Sequence, residues 1–324
     1  MDKLKAFTTV YSYPTPEVLS VVREIVENYP IDTIEEGWVR KQLTEYHKPI
    51  FEELINLRQE ETPGLGEFEQ RYPTYGSDHA ICEYLTYLRV EEGVRFIYVL
   101  QDDYEGYIER ARSRGIETRF VSIATNPKDL ESGIWFISNP SARDGNILPD
   151  RTVEAILAAG HRVVYDLAYL GTTDDHQFDL SHENIDGALV SFSKPYGLFS
   201  HRIGFSFFRR RVPSLEANAL WFKNIFGLTL ASRVIAELDP NVYAAKYKTA
   251  QRAIVDSLAE QTGLPLKASD AFLLAHVSED AQLTDQQRDV LKPYRRGNLH
   301  RLCLTPYFFE LNEAAASTGR SLNL

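Results

Sequence analysis

The chain has 324 residues, of which 44% are hydrophobic, 12% aromatic and 25% charged. These proportions predict a globular chain whose core is large enough for one large domain with a smaller domain attached. The formal net charge of −11 argues against a nucleic-acid surface, because phosphate backbones are bound by clustered lysines and arginines.

The predicted elements begin with two helices, over residues 16–28 and 34–58, where apolar residues recur at helical spacing. Six short β-rich runs then alternate with helical stretches. The runs are residues 95–100, 117–123, 133–138, 162–165, 188–192 and 203–208. Strands that alternate with helices predict a mostly parallel sheet. The last two runs are too close in sequence for a crossover helix, so the final strand is predicted to be antiparallel.

The rest of the chain predicts a smaller unit. Residues 215–262 have a helical pattern, and short β-rich runs near residues 271–277 and 301–304 predict an α+β cap. We therefore expect an α/β fold with a mostly parallel sheet of about seven strands between helices, and a smaller α+β domain built from both chain ends. The expected boundaries are 1–45 and 215–324 for the two parts of the small domain, and 46–214 for the large domain.

One lysine lies among hydroxyl groups and is followed by an arginine. Ser191 and Ser193 precede Lys194 by three residues and one residue, and Arg202 follows it by eight. An amine for a Schiff base, hydroxyl donors and a planar cation are what the aldehyde and phosphate of pyridoxal phosphate require. The segment therefore predicts a pyridoxal phosphate site. The alternative is a polar turn after a buried strand, with Lys194 merely solvated.

A second candidate element follows the predicted strand 162–165. This strand delivers Asp166 and then Tyr169 to its C-terminal end, which is where ligands bind in an open α/β sheet. A carboxylate beside a pyridine nitrogen keeps the nitrogen protonated, and a nearby phenol can hydrogen-bond the ring oxygen of the cofactor. The alternative is that Asp166 caps the next turn. Asp166 precedes Lys194 by 28 residues, a separation that suits one helix and one strand.

A third candidate element lies upstream, where Gly76, Ser77 and Asp78 precede a run of apolar residues at helical spacing. A glycine turn into a helix N-terminus is a natural phosphate cradle. Farther on, Tyr104 follows the predicted strand 95–100. If it has no role in the site, it is a core tyrosine on the helix that starts there.

Together these segments resemble the motifs of class I and II aminotransferases, members of the aspartate aminotransferase superfamily (fold type I). The motifs occur in family order and span about residues 46–309, with one departure at Ser200, where the family usually has Gly, Asn, Ala or Arg. The resemblance implies pyridoxal 5'-phosphate as the cofactor and Lys194 as the catalytic lysine. It also implies that Tyr104 stacks on the cofactor ring, an interaction worth roughly 1 kcal/mol.

The asparagine loop of this family matches less closely. In the family, an Asn-Pro-Thr-Gly loop supplies an asparagine to the phenolate oxygen of the cofactor. Alignment on Gly145 places Ala142 at that position, whereas alignment on the Asn-Pro pair gives Asn139. Asn139 is favoured, because its separation from Asp166 suits one loop, one helix and one strand.

The resemblance also implies contacts with the substrate and with a second subunit. Arg301, in an alternating strand, corresponds to the arginine that binds the α-carboxylate of the substrate, a task that suits the two parallel hydrogen bonds of a guanidinium. The family usually forms homodimers with sites at the subunit boundary. Tyr46 is the candidate phosphate ligand donated to the neighbouring subunit. The alternative is that Tyr46 simply belongs to an amphipathic helix and has no role in the site.

The activity implied is transfer of an amino group between an α-amino acid and a 2-oxo acid. Lys194 would carry a proton between the α-carbon of the substrate and the cofactor. The same motifs serve relatives that eliminate, decarboxylate, cyclise or oxidise amino acids, so these reactions stay open. A non-catalytic binding protein on the same fold is a further alternative.

The remaining features concern partners and location. Cys82 and Cys303 form neither a disulfide framework nor a metal-binding spacing. The first residues lack an apolar signal core, and no run of about 20 apolar residues occurs. We therefore expect a cytoplasmic protein with small-molecule substrates and no nucleic-acid or membrane partner.

Overall fold

Seven strands form one sheet in the computed structural model, which describes residues 4–28, 44–221 and 224–317. They are β1 (Gln70–Thr74), β2 (Phe96–Leu100), β3 (Glu117–Val121), β4 (Ile134–Ser138), β5 (Arg162–Leu167), β6 (Ile185–Ser191) and β7 (Gly204–Phe208). The spatial order is β1-β7-β6-β5-β4-β2-β3. Strands β2 to β6 are mutually parallel, and β7 pairs antiparallel with both β6 and β1. The predicted α/β fold and its antiparallel final strand are confirmed.

The central strands are apolar on both faces. Every residue of β4 and β6 is buried. Alternate residues enter different core clusters: Trp135 packs on one side of the sheet, whereas Phe136 and Val164 pack on the other. A parallel sheet covered by helices on both faces requires this pattern.

Strand β1 is the one member of this sheet that the sequence patterns did not reveal. It is short, begins with Gln70 and Arg71, and contains Pro73. Such a sequence lacks the apolar run of a central strand. Proline is tolerated at a sheet edge, and β1 is an edge strand that pairs only with β7.

Helices cover the sheet and continue into the second half of the chain. The α-helices are Pro16–Glu27, Thr44–Arg58, Ser77–Val90, Glu105–Arg112, Asp150–Ala158, Pro213–Trp221, Ile225–Glu237, Pro240–Thr262, Asp285–Leu291 and Thr305–Ser317. The predicted helical stretch 215–262 is thus three helices. The predicted helix 34–58 is described only from Thr44, because residues 29–43 lie outside the described part of the chain. None of the helices in the described ranges is long and apolar enough to cross a membrane.

A second, antiparallel sheet follows the long helix. Its strands are β8 (Lys267–Ala268), β9 (Leu274–Val277), β10 (Arg295–Arg296) and β11 (Leu299–Cys303), in the order β10-β11-β9-β8. Phe7 forms an antiparallel bridge with Cys303, with two N–O distances of 3.0 Å. The N-terminal segment therefore lies against a strand from the other end of the chain. The domain boundaries at residues 45 and 214 stay a prediction.

Candidate active site

The carboxyl ends of neighbouring parallel strands bring the candidate residues to one edge of the large sheet. Ser138, at the end of β4, pairs in register with Asp166 of β5. Ser191 ends β6, and Lys194 follows three residues later. Parallel strands place their C-terminal ends at the same edge, which explains why residues far apart in sequence converge here.

Lys194 is half-buried and faces the N-terminal segment. Its Nζ donates a hydrogen bond of 2.5 Å to the carbonyl oxygen of Val10. Burial lowers the pKa of Lys194 to about 8; Cys303 opposes this shift, and the positive charges of Arg301 and Arg202 add to it. An amine with a depressed pKa is a better nucleophile near neutral pH, as covalent catalysis by lysine requires.

Asp166 is buried at the end of β5 and bound by two donors. Its Oδ2 accepts a 2.9 Å hydrogen bond from the hydroxyl of Tyr107, and its Oδ1 accepts one of 3.1 Å from the amide of Ala168. Burial raises the pKa of Asp166 to about 7; the Tyr107 bond opposes this, and the nearby carboxylate of Asp103 adds to it. A cation placed beside such a carboxyl would favour its ionised form.

Tyr107 contacts the candidate acid Asp166, and the sequence patterns did not single it out. It lies on helix Glu105–Arg112, three residues after the capping residue Tyr104, and is fully buried. Only the fold shows that the Tyr107 hydroxyl reaches Asp166, which lies 59 residues away in the sequence.

The predicted phosphate cradle is a tight corner built around Gly76. The backbone of Gly76 has φ +82°, and a Cβ there would lie 2.7 Å from Nη2 of Arg202. Arg202 itself has φ +52° and donates a 2.6 Å hydrogen bond to the carbonyl of Tyr75. Gly204 packs against the same backbone, since a Cβ there would lie 2.7 Å from Cα of Gly76. The guanidinium therefore lies at the N-terminus of helix Ser77–Val90, where backbone N–H groups favour an anion.

The remaining residues of the predicted phosphate site differ in what their side chains contact. Asp78 forms a two-point ion pair with Arg110, at 3.1 and 3.0 Å. Its side chain is therefore turned to Arg110, and its backbone N–H is the group that belongs to the helix N-terminus. The amide of Ser193 donates to Oγ of Ser191 at 3.2 Å, and both serines are buried.

Tyr104 and Asn139 lie on loops that follow β2 and β4. Tyr104 is the residue before helix Glu105–Arg112 and contacts Tyr107 edge to face, with ring centroids 5.2 Å apart. Asn139 is buried: its Nδ2 donates to the Tyr165 hydroxyl at 2.8 Å, and its Oδ1 accepts from the amide of Leu148 at 2.9 Å. One N–H of the Asn139 side-chain amide is left for another acceptor, so Asn139 can still bond the ring oxygen of the cofactor. Ala142 stays the alternative position for this role.

Arg301 and Tyr169 form the other wall of the site. Arg301 is buried, and its guanidinium donates to the carbonyl oxygens of Ala142 and, at 3.4 Å, of Thr8. Its Nε has no hydrogen-bond partner within the described ranges. Burial raises the pKa of Tyr169 to about 12 although the charge of Arg301 opposes the rise. A buried guanidinium with unused donor capacity suits an incoming carboxylate.

Tyr46 belongs to helix Thr44–Arg58, but its side chain lies outside what the structure describes. Its assignment as a phosphate ligand of a neighbouring subunit stays a prediction.

The donor set at this edge fits pyridoxal phosphate. An anion-binding corner at Gly76 and Arg202, an amine at Lys194 and a buried acid at Asp166 are the groups that its phosphate, aldehyde and ring nitrogen need. The combination of fold and site defines a pyridoxal phosphate-dependent protein of fold type I.

The sequence comparison identifies the family. The family model for aminotransferase class I and II matches residues 73–291, more than half of the chain, and the chain therefore belongs to that family. No curated protein sequence matches it.

Solved structures share the fold over nearly the whole chain. Histidinol-phosphate aminotransferase from Sinorhizobium meliloti, in complex with pyridoxal-5'-phosphate, has a TM-score of 0.65 at 16% identity, covering 90% of this chain and 83% of that one. An aminotransferase from Staphylococcus aureus has a TM-score of 0.64 at 15% identity, with coverages of 97% and 93%. L-threonine-O-3-phosphate decarboxylase from Porphyromonas gingivalis has a TM-score of 0.61 at 14% identity, with coverages of 96% and 98%. Identities this low establish the fold alone.

Proposed function

We propose that this protein is an aminotransferase that moves an amino group between an α-amino acid and a 2-oxo acid. The observation that carries the proposal is the buried guanidinium of Arg301, whose Nε has no hydrogen-bond partner within the described ranges. Burial lowers the pKa of Lys194, and the charge of Arg301 adds to that effect. A substrate that brings a carboxylate to Arg301 would place its α-carbon near the lysine. Recognition of a carboxylate next to a reactive amine is what an α-amino acid substrate requires.

Each candidate residue has a role in this proposal. Pyridoxal phosphate, when bound, supplies an electron sink for the α-carbon of the substrate. Lys194 holds the cofactor and then takes and returns the α-proton, a task that suits its pKa of about 8. Asp166 holds the proton of the ring nitrogen, Tyr169 and Asn139 bond the ring oxygen, and Tyr104 stacks on the ring. The phosphate would be held by Gly76, Ser77, Asp78, Ser191, Ser193 and Arg202.

A second subunit would complete the phosphate corner. Tyr75 and Phe199 flank Arg202 and are 39% and 48% exposed, so two large aromatic side chains surround the corner at the surface. Such a rim suits coverage by another copy of the chain, and Tyr46 would be the ligand that the copy donates. We propose this homodimer, and a cytoplasmic location, together with the activity.

Decarboxylation is the second candidate, because a decarboxylase shares this fold over 96% of the chain. The two reactions differ in their products. Transamination of one equivalent of amino acid yields one equivalent of 2-oxo acid and no carbon dioxide, whereas decarboxylation releases carbon dioxide and leaves an amine.

The test is a panel of amino donors with a single 2-oxo acid as acceptor, with both the new amino acid and carbon dioxide quantified. Formation of a 2-oxo acid from the donor and an amino acid from the acceptor would support the proposal. Carbon dioxide without amino transfer would assign the second candidate, and a bound cofactor with no product from any donor would indicate the non-catalytic alternative.

A further inference from the structure

Asp103 is a buried carboxylate near the C-terminal ends of the parallel strands. The proposed function gives it no role. It lies directly before Tyr104 and is 5% exposed. Its Oδ1 accepts from the amide of Tyr104 at 2.7 Å and from Oγ of Ser138, and its Oδ2 accepts from the amide of Ser138 at 3.2 Å. One carboxylate therefore joins the loop after β2 to the end of β4.

The contacts continue from Ser138 to the substrate side of the site. Oγ of Ser138 accepts a 2.7 Å hydrogen bond from the amide of Ala142. The carbonyl oxygen of Ala142 in turn accepts from Nη1 of Arg301. A continuous path of contacts thus connects the backbone of Tyr104 with the guanidinium of Arg301, and Asp103 is the member of that path next to Tyr104.

We propose that Asp103 is a positioning residue that fixes Tyr104 for stacking on the cofactor ring and, through Ser138 and Ala142, holds Arg301 for the substrate carboxylate. This inference rests on the proposed function. It differs from that function in assigning both alignments to one buried carboxylate that touches neither the cofactor nor the substrate.

The chemistry of the three donors explains why a carboxylate is needed. Two backbone N–H groups and one hydroxyl converge on Asp103, and a carboxylate can accept from all of them because both oxygens are acceptors. Burial raises the pKa of Asp103 to about 6, with the hydrogen bonds from Ser138 and Tyr104 opposing the rise. An asparagine has one acceptor oxygen, so its NH2 group would face the N–H of Ser138 or of Tyr104.

The Tyr104 half of the proposal is tested by a double-mutant cycle in cofactor affinity. We expect Tyr104→Ala to weaken binding of pyridoxal 5'-phosphate by about tenfold, the upper range for loss of an aromatic stack. Asp103→Asn should weaken it to a similar extent, and the double variant should be no weaker than the worse single variant, because both changes remove the same stack. Two effects that multiply in the double variant would overturn this half.

The Arg301 half is tested with Ser138→Ala, which removes the hydroxyl between Asp103 and Ala142 but adds no buried donor. We expect the KM for the amino acid donor to rise by about tenfold, the loss of one aligned charge-assisted contact, with kcat and cofactor affinity changed by less than about twofold. An unchanged KM would overturn this half. A fall in kcat and cofactor affinity together with the KM change would indicate general loosening instead, and would also overturn it.

A measurement without cofactor separates this inference from the proposed function. In the cofactor-free protein, Asp103→Asn should increase hydrogen–deuterium exchange of residues 101–107 and of residues 139–147 together. The matched control is Asp179→Asn, since exposed Asp179 accepts from the amide and Oγ of Ser181 at 2.9 and 2.7 Å in the same way. Wild-type protection of both segments in Asp103→Asn would overturn the inference. Failure of wild-type protein to transfer amino groups would overturn the proposed function alone. If Asp103→Asn does not fold, the same exchange measurement on Ser138→Ala decides, with increased exchange of residues 139–147 expected.

Discussion

The hydroxyl of Tyr107 donates a 2.9 Å hydrogen bond to Oδ2 of Asp166, and both side chains are buried. This bond opposes the rise that burial imposes on the pKa of Asp166. A phenol that does not titrate near neutral pH thereby helps to keep an adjacent carboxylate ionised, and it fixes which oxygen of Asp166 stays available.

Tyr107→Phe should therefore raise the pKa of Asp166 and lower kcat by about tenfold, the effect of about 1.4 kcal/mol. The cofactor should still bind, because the phosphate corner at Gly76 is untouched. Steady-state kinetics across pH 5 to 9 would reveal the change. Tyr84→Phe is the matched control, since its buried hydroxyl bonds a different acid, Asp186, at 2.9 Å. A Tyr107→Phe profile equal to that of wild type would contradict the assignment.

Lys194→Ala should abolish turnover while some cofactor still binds through its phosphate. Borohydride reduction of the wild-type holoenzyme, followed by peptide mapping, should place the pyridoxyl group on Lys194. Lys246→Ala serves as the control, because that lysine pairs with Glu17 at 2.6 Å and has no place in the site. Label on any other lysine would refute the assignment of Lys194.

Asp166→Asn should retain cofactor but lose about 100-fold or more in kcat, because a neutral amide cannot hold the proton of the ring nitrogen. The measurement is single-turnover kinetics at saturating cofactor. Near-normal turnover would contradict the assignment of Asp166 to this role.

Asn139→Ala separates the two candidates for the asparagine role. If Asn139 bonds the ring oxygen, its loss should shift the visible-spectrum titration of the bound cofactor upward by about one pH unit, or 1.4 kcal/mol. The variant should also be less stable, because the Tyr165 hydroxyl and the Leu148 amide lose their partners. Tyr165→Phe is the control for that stability effect. No shift in the titration would favour Ala142 as the equivalent position.

The cofactor-free protein should lose stability as the pH rises from about 4 to about 7, in part through Asp166. Its pKa rises from about 3.9 in the unfolded chain to about 7 in the folded one, so the folded state binds more protons in this window. The free energy of unfolding must then fall as pH rises, by at most about 1.4 kcal/mol per pH unit from this group. Chemical denaturation of wild type and Asp166→Asn should show a shallower decline in the variant. Parallel curves would contradict the raised pKa.

The sequence predicted most of the fold because the central strands are continuous apolar runs. Strand β1 was missed, since an edge strand with Pro73 and polar residues has no such run. Local motifs likewise led to Lys194, Arg202 and Gly76 as candidates, because their residue types and spacings can be read directly from the sequence. Tyr107 and Asp103 were not found, because the roles proposed for them rest on hydrogen bonds to residues on other strands.

The contact between the N-terminal segment and Arg301 also determines the order in which parts of the site can assemble during translation. Thr8 and Arg301 are separated by 293 residues, and Val10 bonds a lysine 184 residues away. During translation, the N-terminal segment that contains Thr8 and Val10 leaves the ribosome long before the residues that it contacts are made. The large sheet and its lysine can be assembled first, whereas the contacts of Thr8 with Arg301 form only when β11 emerges and the N-terminal segment packs against it. A nascent chain stalled before β11 would thus contain Lys194, Asp166 and Arg202 and lack Arg301.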